Sequence, residues 1–183
     1  MTDYQPTLRV AEPDDKSAID VLMQQSAAAL FPRFYGARQT ESAVRYVARA
    51  DPLLLADGTF FALEADGEIV GCGGWSRRHR LYAGSGDAPD DTRLLDPVTE
   101  AANVRAMFVR DDWTRRGLGR RILEACETAA RGEGFRRLAL LATLAGVPLY
   151  LAYGFRLGEK RDVALEDGVV LACVAMEKPV DAA

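Results

Sequence analysis

Hydrophobic and polar positions fall into runs of two distinct periods along this chain, and those periods predict its elements. Thr7 to Ala11 is a short strand. Pro13-Asp14-Asp15 supplies helix-start chemistry, and Ile19, Leu22 and Met23 follow at helical spacing, with Ala27 to Leu30 extending the apolar face. Phe31-Pro32 breaks that helix, and a second begins near Thr40 with Val44, Val47 and Ala48 on its inner face. Thr59 to Ala65 and Glu68 to Trp75 read as strands around Asp66-Gly67, a tight-hairpin dipeptide. Gly71, Gly73 and Gly74 strip side chains from the second of these, which marks a bulge or a close backbone approach. Arg77 to Pro97 is polar and rich in Gly, Pro and Asp: either a lid or binding segment, or an inserted disordered loop.

The second half is more regular. Asn103 to Val109 is a strand, and a helix follows with Leu118, Ile122, Ala125 and Ala129 on one face. Its opposite face carries Arg120, Arg121, Glu124, Glu127 and Arg131, and Gly132 and Gly134 end it. Leu138 to Ala142 is an apolar strand, and Pro148 to Tyr153 a short helix with proline near its start. Arg156 to Leu165 and Val169 to Met176 pair across Asp167-Gly168. Neither a repeat nor a linker interrupts the pattern, so residues 1–183 are expected to form one mixed α/β domain.

Composition narrows the classes. Apolar residues are 49% and charged residues 27%, enough for a sizeable core. Lys plus Arg number 23 against 27 Asp plus Glu, a net charge of −4 that disfavours a nucleic-acid partner. Cys72, Cys126 and Cys173 are far apart and His79 is the single histidine, so no metal site of ordinary zinc spacing can be built. The thiols are expected to be free and buried, in a reducing, cytoplasmic setting. Leu138 to Phe155 carries no charge, but Gly146 and Pro148 interrupt it; a buried strand and a short helix are expected there, and no membrane span. Dimerisation is compatible with the sequence and not specified by it.

The most informative segment is the turn Thr114-Arg115-Arg116-Gly117-Leu118-Gly119-Arg120 between a strand and an amphipathic helix. Two glycines let the backbone approach a ligand and present successive N–H groups at a helix start, an arrangement suited to a pyrophosphate. Arg115, Arg116 and Arg120 add positive charge. A P-loop is excluded because no Gly-Lys-Ser/Thr closes the turn. A dinucleotide fingerprint is disfavoured because Ile122 stands at its third glycine. On its own the turn also suits a plain glycine-rich helix entry with solvated arginines.

The segment's continuation adds a second motif. After the next strand comes Tyr150-Leu151-Ala152-Tyr153-Gly154-Phe155. A glycine turn of the form Gln/Arg-x-x-Gly-x-Gly/Ala, then a strand, then Tyr-x-x-x-Gly-Phe on a short helix resembles the GNAT superfamily of N-acetyltransferases. The likeness covers Asn103 to Phe155 well and the N-terminal elements more loosely. Two positions depart from the pattern: Thr114 stands where the motif has Gln or Arg, and Asn103 where many members carry a glutamate base.

The resemblance implies a GNAT-like mixed, mostly antiparallel sheet of six to seven strands, splayed at a central bulged strand and flanked by about four helices. It implies acetyl-CoA as cosubstrate, no metal, and an amine acceptor. Backbone at Met107, Phe108 and Val109 would pair with the pantetheine arm, and backbone from Arg115 through Arg116, Gly117, Leu118 and Gly119 to Arg120 would hold the diphosphate. Thr143 and Tyr150 complete the implied cofactor contacts. The Val109 N–H is the expected donor to the thioester oxygen, and Tyr150 the expected acid. For the base, Glu100, a water chain through Asn103, and His79 stay open. Phe31, Phe34, Tyr35 and Trp75 are candidates to line an acceptor pocket, and Arg77, Arg78 and Arg80 to favour an acidic acceptor. The alternative is a non-catalytic CoA-binding regulatory protein.

Overall fold

A computed structural model describes residues 5–79 and 92–180. Seven strands form one sheet: β1 (Thr7–Val10), β2 (Phe60–Ala65), β3 (Glu68–Ser76), β4 (Ala102–Val109), β5 (Arg137–Thr143), β6 (Arg156–Ala164) and β7 (Val170–Pro179). Their spatial order is β1-β2-β3-β4-β5-β7-β6, antiparallel throughout except where β4 meets β5. The helices are α1 (Lys16–Leu30), α2 (Ala37–Tyr46), α3 (Pro52–Ala56), α4 (Leu118–Gly132) and α5 (Val147–Tyr153). This is the mostly antiparallel, centrally splayed sheet that the resemblance implied.

Among the described residues five helices flank it, in keeping with the four or so expected. One of them, α3, is too short to show a helical period; Asp51 caps it by accepting from the Leu53 N–H at 2.9 Å, and Pro52 sits at its first position. Helix α2 starts at Ala37, earlier than the apolar pattern indicated, because the Gln39 side chain folds back to accept from the Gly36 N–H at 3.1 Å. The uncharged stretch near residues 138–155 divides into β5 and α5, and no helix among the described residues is long and apolar enough to cross a membrane.

Each face of the sheet carries its own core. Helices α1 to α3 cover one face, burying Ile19, Met23, Leu54, Phe60 and Cys72; α4 and α5 cover the other, burying Leu63, Ile122, Leu123, Leu138 and Met176. Strand alternation divides the residues between the faces. All three cysteines are free and buried. Of the long polar connection, residues 80–91 lie outside the described residues. Its base is an extension of the sheet: Arg78 bridges Leu94, the His79 N–H donates to Arg93 O, and the Leu95 N–H donates to Arg77 O.

Candidate active site

The site begins with a break in the sheet. Strands β4 and β5 pair only through Ala102 with Leu138 and Asn103 with Ala139; beyond that they part, leaving β4 from Val104 and β5 from Leu140 with free facing edges. The cause lies on the other side of β4. Cys72 pairs with Phe108 and Gly74 with Arg105, so Ala106 and Met107 both stand opposite Gly73. Such a bulge bends its strand and increases its twist. Ala106 takes φ 56°, and a Cβ on Gly73 would run into the Met107 sulfur. The glycine run in β3 therefore makes room for the bulge.

Beyond the bulge, the ladder orients the backbone. The Arg110 N–H donates to Val70 O at 3.0 Å, so Val109, opposite Gly71, turns its own N–H and carbonyl away from β3. The carbonyl accepts from Ser26 Oγ on α1 at 2.7 Å. Ser26 was not legible in the sequence, where nothing separates it from its alanine neighbours.

The chain then turns through residues 110–117 into α4. Arg115 has φ 65° and Gly117, the N-cap, φ 78°. Only three non-glycine residues among those described have positive φ, and two of them, Ala106 and Arg115, belong to this bulge and turn, where strain of about 1 kcal/mol each is held by the surroundings. Among the described residues, none of the backbone N–H groups from Arg115 to Arg120 meets a protein acceptor; the first to do so is that of Arg121, to Gly117 O. Six successive donors at the positive end of a fifteen-residue helix suit an anionic diphosphate. Gly117 has open space around it, whereas a Cβ on Gly119 would meet Leu149 Cδ2 at 2.8 Å, so the second glycine serves the contact of α4 with α5.

The arginines contribute less free charge than their number suggests. Arg110 pairs with Glu68 and Asp112 at 2.7 Å, Arg120 with Glu124 at 3.0 Å, and Arg116 stacks on Trp113 at 4.7 Å.

Tyr150 projects from α5 into the α4 side of the core, 8% exposed, with its ring edge-on to Phe155 at 5.7 Å. Gly146 lacks the Cβ that would strike this ring at 2.8 Å. Burial pushes the Tyr150 hydroxyl well above its usual value, and no protein group hydrogen-bonds it among the described residues. Thr143 ends β5 half-buried at the open edge, its carbonyl accepting from the Gly146 N–H.

The expected bases do not come together with this cleft. Glu100 precedes β4 and is clamped by Arg93 at 2.7 and 2.9 Å and by the Asp96 N–H at 2.8 Å. The Arg93 hydrogen bonds, with that N–H, pull it down to about 2, too weak to take a proton from an ammonium. Asn103 sits in the paired part of β4 and donates to Arg78 O at 3.1 Å, which ties down the base of the long connection. Both lie toward the opposite end of β4 from Val109, Glu100 about 25–30 Å along the chain at roughly 3.3 Å per residue. His79 belongs to the same anchored base.

Other expected acceptor contacts are structural. Trp75 is 1% exposed and packs edge-on to Phe135, in the core under α4. Arg77 pairs with Glu133, Arg78 with Asp57, and Arg80 lies outside the described residues. Phe31 and Tyr35 are buried together and Phe34 is exposed. Tyr35 does more than pack: its hydroxyl donates to Ala172 O and accepts from the Leu144 N–H, both at 2.8 Å, fastening the approach to α2 across the ends of β5 and β7.

A family model described as an acetyltransferase (GNAT) domain matches residues 56–157. No curated protein matches the chain significantly. Among solved structures, a GCN5-related N-acetyltransferase from Rhodopseudomonas palustris is 20% identical over 98% of both chains, with a TM-score of 0.73. The PaiA N-acetyltransferase of Thermoplasma acidophilum, in complex with coenzyme A, is 14% identical over 96% of this chain and 99% of its own, at 0.66. YncA of Salmonella typhimurium, solved with its cofactor acetyl-CoA, is 17% identical over 98% of this chain and 96% of its own, at 0.63. At these identities the likeness is one of fold.

Proposed function

Because this chain belongs to the GNAT acetyltransferase family, we propose that it moves an acetyl group from acetyl-CoA to a primary amine of a small molecule or protein, by direct attack in a ternary complex. The observation that carries this reading is the coincidence of a free strand edge with six unpartnered N–H groups at the start of α4. Solved relatives of the same fold with coenzyme A or acetyl-CoA support the choice of donor.

In this reading the N–H groups of residues 115–120 hold the diphosphate, and the free edge at Met107 to Val109 receives the pantetheine amides in strand fashion. Acetyl-CoA supplies an acyl thioester and a thiol leaving group. The Val109 N–H, turned from β3, donates to the carbonyl oxygen as it gains charge, worth about 3 kcal/mol when well aimed. Tyr150 keeps its proton at neutral pH, gives it to the departing sulfur and takes one back from solvent, so a thiol and not a thiolate is released and the acid is restored. The new C–N bond forms as C–S breaks, and the amine's surplus proton passes to solvent, since the candidate carboxylate is held elsewhere.

Acetyl-CoA-dependent thiol release over a panel of amines tests the proposal. Release that requires an amine supports it. Tight coenzyme A binding without release from any acceptor would favour a regulatory CoA-binding protein.

A further inference from the structure

We propose that the acceptor carries an anionic group, a carboxylate or phosphate, recognised by Arg45 and Arg49 at the end of α2; this rests on the acetyl-transfer reading above. One face of α2 is turned toward the β6–β7 hairpin. Gln39 Nε2 donates to Val170 O and Ser42 Oγ to Asp167 Oδ1, both at 2.8 Å. From there the chain runs to Asp51, whose carboxylate lies 3.0 Å from Arg105 on β4. Helix α2 thus starts beside the β6–β7 hairpin, and the chain beyond its end reaches the middle of β4, on the face of the sheet opposite Tyr150.

Arg45 stands three residues after Ser42, hence on the same stripe of α2. Its guanidinium lies 5.3 Å from the Tyr46 ring centroid, and that of Arg49 lies 6.0 Å from the same ring. One half-buried tyrosine therefore carries two exposed cations within reach of a single small ligand. Neither has a carboxylate partner among the described residues, whereas Arg77, Arg78 and Arg110 all do. The helix C-terminus favours a cation there, and two guanidiniums held at one ring, neither ion-paired among the described residues, gather positive charge at one place. A bidentate anion would neutralise that charge, and the ring offers an apolar surface beside it. On β5, Ala139, Leu141 and Thr143 point to this side of the sheet and remain half-buried, leaving a shallow floor beside the free edge.

The test uses ω-amino acids of graded length, each offered as the acid and as its amide, with phosphoethanolamine against ethanolamine. A nearby charge alters the basicity of the amine, so rates within each pair are compared per unit of unprotonated amine, which isolates recognition of the anion. For at least one length, kcat/KM for the charged member should exceed that of its neutral partner about tenfold or more. Arg45→Gln and Arg49→Gln should each cut that ratio about tenfold, and Arg45→Lys, which keeps charge without the fork, should restore part of it. Equal turnover of acids and amides, or a ratio unmoved in both glutamine variants, overturns the proposal. Calorimetric titration of the same compounds into CoA-loaded protein gives a reading independent of turnover. If no amine yields thiol, acetyl transfer fails; preferential binding of the charged compounds, lost in the variants, still supports the anion site, and indifferent binding overturns it.

Discussion

Tyr150 carries the sharpest expectation at the scale of single residues. Its ring is fixed by Phe155 and by the missing Cβ of Gly146, so removal of the hydroxyl leaves the packing intact. Tyr150→Phe should lower kcat about a hundredfold or more while the Kd for coenzyme A stays within about twofold. Stopped-flow thiol release and calorimetry read the two quantities separately, and unchanged kcat would remove the acid role. Gly117 makes the complementary case. With φ 78° and open space around it, Gly117→Ala meets no protein atom but strains the backbone by about 1 kcal/mol. Coenzyme A affinity should fall about tenfold with thiol release slowed accordingly, and full affinity would show that the turn does not hold the diphosphate.

Among elements, the bulge in β4 decides whether the cleft exists. Gly73→Ala drives a methyl into Met107 and Ile122, an overpacking worth about 2 kcal/mol. Thermal denaturation should show a Tm lower by about 4–8 °C for a chain of this size, with activity reduced beyond what the unfolded fraction explains. Asp51→Asn keeps the cap on α3 but takes a negative charge from beside the buried Arg105 guanidinium, which should cost about 2 kcal/mol in denaturant unfolding; a loss below about 0.5 kcal/mol would show the pair to be incidental.

These elements differ in how plainly the sequence announces them. The glycines of β3, the Asp66-Gly67 turn and the Gly117 turn are visible because each answers a backbone demand that few other residues meet. The apolar stripe of α4 is visible because its period is long and uninterrupted. Helix α3 is not, since five residues cannot display a period, and its cap on Asp51 resembles any loop aspartate. Contacts joining distant segments leave no local trace: Ser26 on Val109, Tyr35 across β5 and β7, and Asn103 on Arg78 are products of topology. Glu100 shows the converse. Its type and position suit a base, but Arg93 and its place before the paired end of β4 remove it from the cleft.

For the whole molecule, the clamping of Glu100 away from the cleft has a kinetic signature. Glu100, held at about 2, stays ionised across the working range and contributes no inflection there, and Tyr150 is raised away from it. The pH profile of kcat/KM should therefore follow deprotonation of the free amine, rising about tenfold per unit from pH 6 to 8 toward an amine pKa of about 10. An inflection between pH 6 and 8 that stays put when the acceptor is exchanged would reveal a base belonging to the protein.

Residue-resolved amide hydrogen exchange, with and without acetyl-CoA, bears most directly on the cleft itself. The N–H groups of residues 115–120 lack acceptors among the described residues and should exchange fast in the free protein, then slow by about tenfold or more with cosubstrate, together with the Val109 N–H on the free edge of β4. Cosubstrate binding that leaves these amides fast, or protects a different part of the chain instead, would contradict the account.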